Sequence, residues 1–163
     1  MSIELADEHW TKGAAHALSV GALIDRARME ALEKGVEDIQ QHVFNGRYSA
    51  SIHLLVGFAM ELLLKSACLL HGGDANRLRS RALRHDLVAL LDEAEGQGFR
   101  ANVAELRAIA ELLREPHLNH QFRYGGAEEV IMPNLEATLQ ALYDLCDQLQ
   151  GPIEEALAAE AGQ

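Results

Sequence analysis

Hydrophobic residues recur at helical spacing along most of the chain, three or four positions apart, and seldom alternate with polar ones. This spacing predicts a helix over about residues 5–41, in which Gly13, Gly21 and Gly35 are weak points where the helix could divide. Asparagine and glycine tolerate the left-handed backbone of a chain reversal, so we expect a turn at residues 44–47.

A second helix is predicted over about residues 48–70, and it is apolar on nearly every face. Within it, Glu61 and Lys65 are spaced to form an ion pair across one turn. The segment has the length of a membrane span, but His53, Glu61 and Lys65 would be costly in lipid. We therefore expect the central helix of a bundle, ending at residues 71–74, where a glycine can supply the left-handed cap.

Glycine and proline divide the next part of the chain. An arginine-rich connection leads to a helix predicted over residues 86–95, which ends in a Gly-Gln-Gly break. Asn102 is a suitable N-cap for another helix that runs to Leu113. Pro116 is expected to interrupt that helix, so that a loop or a set of short turns follows over residues 115–132.

The last helix is predicted to begin at Asn134 and to end at the Gly-Pro pair that opens a frayed tail, residues 151–163. No run of residues has the alternation of a strand. The prediction is one all-α domain, residues 1–163, folded as an up-and-down bundle of about five helices whose core spans about residues 5–150.

Composition supports this class. The chain is 48% hydrophobic but only 5% aromatic, so its core must consist of Leu, Ala, Val and Ile, which fill the space between helices. Cys68 and Cys146 lie in leucine-rich runs without metal-binding spacing and are predicted to be buried free thiols. The acidic N-terminal decapeptide lacks the pattern of a signal peptide, so we expect a cytoplasmic location.

Charge is distributed unevenly. The net charge of −11 argues against a protein that coats nucleic acid regardless of sequence. Residues 77–123, however, carry 8 Lys and Arg against 7 Asp and Glu, whereas residues 124–163 carry none against 8. The connection before the third predicted helix holds four of these arginines, Arg77, Arg79, Arg81 and Arg84. They could contact phosphate, or they could form a solvated face.

Several polar anchors are similar to those of a known superfamily. Glu61 and Lys65 in an apolar helix, a glycine turn after it, and His85-Asp86 at the next helix resemble the core of HEPN domains. The pair Arg123-Tyr124 resembles an Arg-Tyr pair found after the penultimate helix of many such proteins. The resemblance implies a small helical bundle that commonly forms homodimers and often has a nucleotidyltransferase or defence protein as its partner. In the catalytic branch it implies cleavage of RNA without a metal.

That branch carries an arginine followed, after four to six residues, by a histidine, and Arg114 and His120 have this spacing. The histidine would transfer a proton at the ribose 2′-hydroxyl or the leaving oxygen, while the arginine would stabilise the phosphorane charge. Glu115 stands where catalytic members typically carry Asn, Asp or His, and Pro116 predicts a break in the helix that fixes the geometry. The alternative is that both residues make hydrogen bonds at a helix end.

Other residues suggest weaker possibilities. Arg123 and Tyr124, together with His53, could line a nucleotide or small-ligand pocket, although the first two could equally pin a loop. His117 and His120 could share a metal, but no cysteine or carboxylate near them in the sequence completes a site, so we predict no metal and no cofactor. His85 is expected to serve only the start of its helix.

Three hypotheses follow for function. The first is a HEPN-like homodimeric interaction or regulatory domain without catalysis, in bacterial stress or defence, for example within a toxin–antitoxin pair. The second is a metal-independent ribonuclease using Arg114 and His120, with Arg123 on the phosphate and RNA as substrate. The third is a nucleotide-binding bundle. Dimerisation is expected because the second and last helices carry more apolar positions than one bundle layer can cover.

Overall fold

The computed structural model describes residues 2–103, 105–120 and 135–162, which form seven helices and no strand. This confirms the predicted all-α class. In chain order the helices of this described part are α1 Ser2–Glu33, α2 Ile39–Asn45, α3 Ser49–Leu70, α4 Ala75–Leu78, α5 Leu87–Gly96, α6 Leu106–Leu118 and α7 Leu135–Ala161. The two beyond the predicted five are the short helices α2 and α4.

Two of the three glycines in the first predicted helix, Gly13 and Gly21, do not divide it. A Cβ at Gly13 would lie 2.8 Å from Leu63 Cγ, and one at Gly21 would overlap the Tyr143 hydroxyl. These glycines therefore allow α1 to approach α3 and α7 closely, which outweighs their low helix propensity. The break comes after Glu33, near Gly35, whose φ of +65° is the left-handed conformation that glycine adopts readily.

The helix α3 is the centre of the bundle, as predicted. It packs against α1, α2, α5, α6 and α7, and most of its residues are buried. Among the described residues, one helix, α3, has the length and composition of a membrane span. However, 72% of its apolar 18-residue stretch is buried inside the protein. Contact with five neighbouring helices accounts for its apolar surface.

The ends of α3 and α5 follow the sequence signals. Gly72 has a φ of +90° directly after α3 and reverses the chain. Asp86 is the N-cap of α5, and its Oδ1 accepts a hydrogen bond from the Ala89 backbone N–H at 3.1 Å.

The prediction that Pro116 interrupts its helix is wrong. The helix α6 continues through Pro116 to Leu118, and the Asn119 N–H still donates to the Glu115 carbonyl at 3.0 Å. Proline removes one donor, to the carbonyl of Leu112, on a turn that is partly exposed. The N-cap also differs, since α6 begins after Glu105, with a φ of +64°, rather than at Asn102.

The predicted end of the last helix is also wrong. The helix α7 runs through Gly151 and Pro152 to Ala161. Ile153 is only 1% exposed, so burial just after the proline holds the chain in helical register. Cys68 and Cys146 are buried free thiols, as predicted, and burial raises their pKa to about 12 and about 11 respectively.

Candidate functional site

A buried ion pair on α3 is the base of the site. Lys65 Nζ donates to Glu61 Oε1 at 2.5 Å, which confirms the pairing predicted from their spacing. The side chains are only 12% and 7% exposed, so this pair differs from an ordinary pair on a helix surface.

Two histidines converge on the second oxygen of the same carboxylate. His85 Nδ1 lies 3.0 Å from Glu61 Oε2, and His117 Nε2 lies 2.7 Å from it. An ionised carboxylate only accepts hydrogen bonds, so each of these nitrogens must present its hydrogen to Glu61. In a neutral His85 ring, Nε2 is then the unprotonated nitrogen that remains available to a ligand.

These bonds determine the charge of Glu61. Burial raises the pKa of Glu61, but hydrogen bonds from His117, Lys65 and His85 outweigh it and lower the pKa to about 2. Glu61 is therefore ionised throughout the neutral range and can stabilise positive charge on either ring.

A glycine makes room for His117. Gly57 lies one turn before Glu61 on the same face of α3, and a Cβ there would be 2.5 Å from His117 Nδ1. Because α6 stays helical through Pro116, His117 lies within this helix, and its side chain is only 3% exposed. The ring also packs edge-on to Phe58, with 5.5 Å between ring centroids.

The arginine-rich segment is held beside this cluster. Lys65 Nζ donates to the backbone carbonyl of Arg84 at 3.0 Å, and His85 follows immediately with its bond to Glu61. The segment borders a cavity of about 720 Å³ whose lining is Arg79, Arg81, Arg84, His85, Leu118 and Asn119. Two α3 side chains thus fix the position of a basic wall.

The four arginines of the connection before α5 have different roles. Arg77 makes a two-point ion pair with Glu93, at 2.8 and 2.7 Å. By contrast, within the described ranges no carboxylate forms an ion pair with Arg79, Arg81 or Arg84. Three guanidinium groups at one cavity favour an anionic ligand, and their planar donors suit phosphate.

Arg114 is not at this cavity wall. Its Nε and Nη2 donate to both oxygens of Asp86, at distances of 2.7 to 3.0 Å. Burial raises the pKa of Asp86, but the bonds from Arg114 and the Ala89 N–H lower it below its usual value. The pair ties α6 to the N-terminus of α5, so the structure supports the helix-end interpretation of Arg114.

His120 lies beside His85. Its ring centroid is 5.1 Å from that of His85, with the rings at 74° to each other. The residue has a φ of +55° directly after α6, a left-handed conformation that histidine tolerates better than most residues. The structure therefore pairs His120 with His85, and Arg114 with Asp86.

The remaining predicted ligand residues are His53, Arg123 and Tyr124. His53 is buried in α3 at 4% exposure, and this burial lowers its pKa to about 4, so the ring is neutral at neutral pH. It is absent from the cavity lining; His120 is absent too, but it contacts His85, which is part of the lining. Arg123 and Tyr124 lie outside the described residues, so the nucleotide-pocket hypothesis stays a prediction.

Sequence reasoning missed His85 as a site residue, because it assigned that histidine to a helix start. One signal was present in the chain: a glutamate in the middle of an apolar helix needs more than one lysine to satisfy two carboxylate oxygens. Its other partners, 24 and 56 positions away, could not be identified without the fold.

Comparisons of the chain with protein-family models, curated proteins and solved structures gave no match. The all-α class rests on the structure itself, and the resemblance to HEPN domains stays a prediction. The function is therefore argued from the chemistry of the cavity and its histidines.

Proposed function

We propose that the protein binds RNA at the basic cavity and cleaves it by transesterification, with His85 and His120 transferring protons. The observation that carries the proposal is a histidine, His85, oriented by a buried carboxylate at the wall of a cavity with three arginines that form no ion pair with a carboxylate among the described residues. It keeps the catalytic role predicted for His120 but replaces Arg114 with His85 and the arginine wall.

In the proposed reaction His85 Nε2 takes the proton of a ribose 2′-hydroxyl. The 2′-oxygen then forms a bond to phosphorus, and the bond from phosphorus to the 5′-oxygen breaks. His120 donates a proton to that leaving oxygen, which gives a 2′,3′-cyclic phosphate and a free 5′-hydroxyl. Glu61 stabilises the imidazolium form of His85 that this transfer creates.

The arginines supply the electrostatic part of the mechanism. Arg79, Arg81 and Arg84 face a cavity that can hold the phosphate, where their donors stabilise the negative charge developing on the phosphorane. The net charge of −11 weakens long-range attraction of RNA. A local basic wall favours a short single-stranded segment over a long duplex.

The test is cleavage of a fluorescent single-stranded oligoribonucleotide in excess EDTA. His85→Ala and His120→Ala should each lower kcat/KM by about 100-fold or more, the usual contribution of a general acid or base. Arg84→Ala should weaken binding, whereas Arg77→Ala, the matched control already paired with Glu93, should not. An oligonucleotide with one 2′-deoxyribose should resist cleavage at that position. Unchanged cleavage in both histidine variants would overturn the proposal.

A second candidate is the interaction module expected from the HEPN resemblance. The observation that favours it is a row of exposed apolar side chains on one face of α1: Leu18, Met29 and Leu32 are 65%, 56% and 67% exposed. The surplus expected on the second helix is absent, because its neighbours cover α3. Sedimentation at micromolar concentration should show a dimer that Leu32→Glu dissociates, and a monomeric wild type would reject this candidate.

A further inference from the structure

The carboxylate and the two histidines that meet in the core also form a set of metal ligands. Glu61, His85 and His117 each offer one ligand atom, and these atoms all lie within 4.8 Å of one another. They come from three separate parts of the chain: α3, the segment before α5, and α6. Two imidazoles with one carboxylate form a ligand set that zinc takes in proteins, with a fourth position left open.

We propose that Glu61, His85 and His117 bind one Zn²⁺ ion in place of the two hydrogen bonds that now join the rings to the carboxylate. This site differs from the pair considered in the sequence, His117 with His120, because His117 turns inward to Glu61.

Two of the three distances between ligand atoms need little adjustment. Ligand atoms about 2.0 to 2.2 Å from a tetrahedral zinc lie about 3.3 Å from each other. Glu61 Oε2 is now 3.0 Å from His85 Nδ1 and 2.7 Å from His117 Nε2. Opening these contacts by a few tenths of an ångström, and bringing the two ring nitrogens, now within 4.8 Å of each other, to the same spacing, would admit the ion. The other oxygen, Oε1, is held by Lys65, which leaves Oε2 directed at the rings.

Binding requires each ligating nitrogen to be free of hydrogen. In neutral rings the hydrogen leaves His85 Nδ1 and His117 Nε2, and the opposite nitrogen of each ring takes one up through exchange with solvent. The number of protons bound to neutral rings is then unchanged. Glu61 and Lys65 neutralise each other, so an anion at the arginine-lined cavity, which His85 borders, would balance the charge of the ion.

The consequence for catalysis rests on the proposed function. A zinc ion on His85 Nδ1 places the hydrogen on Nε2, so that ring can no longer accept a proton from a 2′-hydroxyl. Zinc should therefore inhibit RNA cleavage rather than support it. The binding site itself does not depend on the cleavage proposal.

The experiment is calorimetric titration of the full chain with ZnCl₂, with thermal unfolding of the same samples. We expect one ion per chain, a raised melting temperature, and affinity at least 10-fold weaker in His85→Ala and in His117→Gln. The glutamine can still donate a hydrogen bond to Glu61, so this variant should keep its fold by circular dichroism. His71→Ala is the control for an exposed histidine outside the cluster and should bind zinc like the wild type. Mg²⁺, which prefers oxygen ligands, should not compete.

Co²⁺ gives an independent reading, since a four-coordinate site should produce visible absorption that His117→Gln removes. No saturable binding, or equal affinity in the wild type and both ligand variants, would overturn the site. Zinc binding without any RNA cleavage would keep the site and reject the proposed function. Cleavage unaffected by one bound equivalent of zinc would reject the inhibitory role.

Discussion

Two glutamate–lysine pairs in this bundle have the same spacing and the same short contact, yet they sit in different surroundings. At the end of α1, Lys34 Nζ lies 2.5 Å from Glu30 Oε1, and in α3, Lys65 Nζ lies 2.5 Å from Glu61 Oε1. Lys34 is 58% exposed, whereas Lys65 is 12% exposed.

The difference lies in what reaches the other carboxylate oxygen. Glu30 Oε2 faces Arg47 at 3.6 Å, a permanently charged side chain that is 67% exposed. Glu61 Oε2 instead accepts hydrogen bonds from two imidazoles, those of His85 and His117. The exposed Arg47 leaves Glu30, whose own side chain is only 5% exposed, with solvated partners, whereas the imidazoles at Glu61 can exchange protons or bind a metal. The side chains at the second carboxylate oxygen, rather than the glutamate–lysine pair itself, determine whether the site can transfer protons or bind a metal.

Removing each carboxylate should give the largest contrast. Glu61→Ala leaves Lys65, His85 and His117 without their shared acceptor in a mostly buried site. We expect a loss of about 3 to 5 kcal/mol in the free energy of unfolding. Glu30→Ala leaves side chains that solvent already reaches, so its effect should be much smaller. Urea denaturation followed by Trp10 fluorescence measures both free energies of unfolding. Equal losses would show that the surroundings of the two carboxylates do not matter to stability.

The dependence of stability on acid pH should also differ between the two pairs. The pKa of Glu61 is lowered from 4.5 to about 2, so its stabilisation is complete above pH 4.5 and is lost as pH falls towards 2. The shift corresponds to roughly 3 kcal/mol. Glu61→Gln should flatten the stability profile in that window, whereas Glu30→Gln should change it less, because the partners of Glu30 are solvated. Parallel profiles for the wild type and Glu61→Gln would contradict this.

The histidine within α3, His53, gives a further test, because it is buried and its pKa is lowered to about 4 from 6.5. The unfolded chain therefore takes up a proton that the folded chain resists, and stability should fall by about 3 kcal/mol between pH 6.5 and 4. His53→Leu should remove most of this slope, while His9 and His16, whose pKa values burial also lowers, should leave a smaller one. The steeper loss at lower pH, due to Glu61, should remain. A slope as steep as that of the wild type between pH 6.5 and 4 would show that His53 is not the group responsible.

Filling the space that Gly57 leaves for His117 should have a smaller effect on the free energy of unfolding, opposite in sign to the usual effect of replacing glycine by alanine in a helix. Alanine normally stabilises a helix relative to glycine by about 1 kcal/mol, and Gly151→Ala, which meets nothing within 4 Å, should do so in α7. Gly57→Ala should instead destabilise by about 1 to 3 kcal/mol, because its Cβ would meet the His117 ring at 2.5 Å. Adding His117→Ala should relieve that clash. Stabilisation by Gly57→Ala would show that the ring is not held there.

Local signals in the sequence were sufficient for much of the fold. The apolar run of α3, the left-handed Gly72 after it and the cap at Asp86 were all predicted from neighbouring residues. Predictions failed where packing outweighed propensity. Gly13 is a close contact rather than a break, and α6 and α7 continue through Pro116 and Pro152.

The site could be predicted only in part, for the same reason. Glu61 and Lys65 lie on one helix, so their spacing was enough to predict the pair. The partners His85 and His117 reach the carboxylate only after α5 and α6 have packed on α3. Arg114 matched a catalytic spacing, but its partner Asp86 is 28 positions away and was not visible in the local pattern.

The tautomer of His85 decides whether this ring can act as a base at the cavity. It can be read from long-range proton–nitrogen NMR correlations on ring-labelled protein and assigned with His85→Gln. In the neutral ring we expect a hydrogen on Nδ1, where Glu61 accepts it, and an unprotonated Nε2 at the cavity. A hydrogen on Nε2 and none on Nδ1 would refute the proposed role of His85, because the ring would then have no base to offer a ligand.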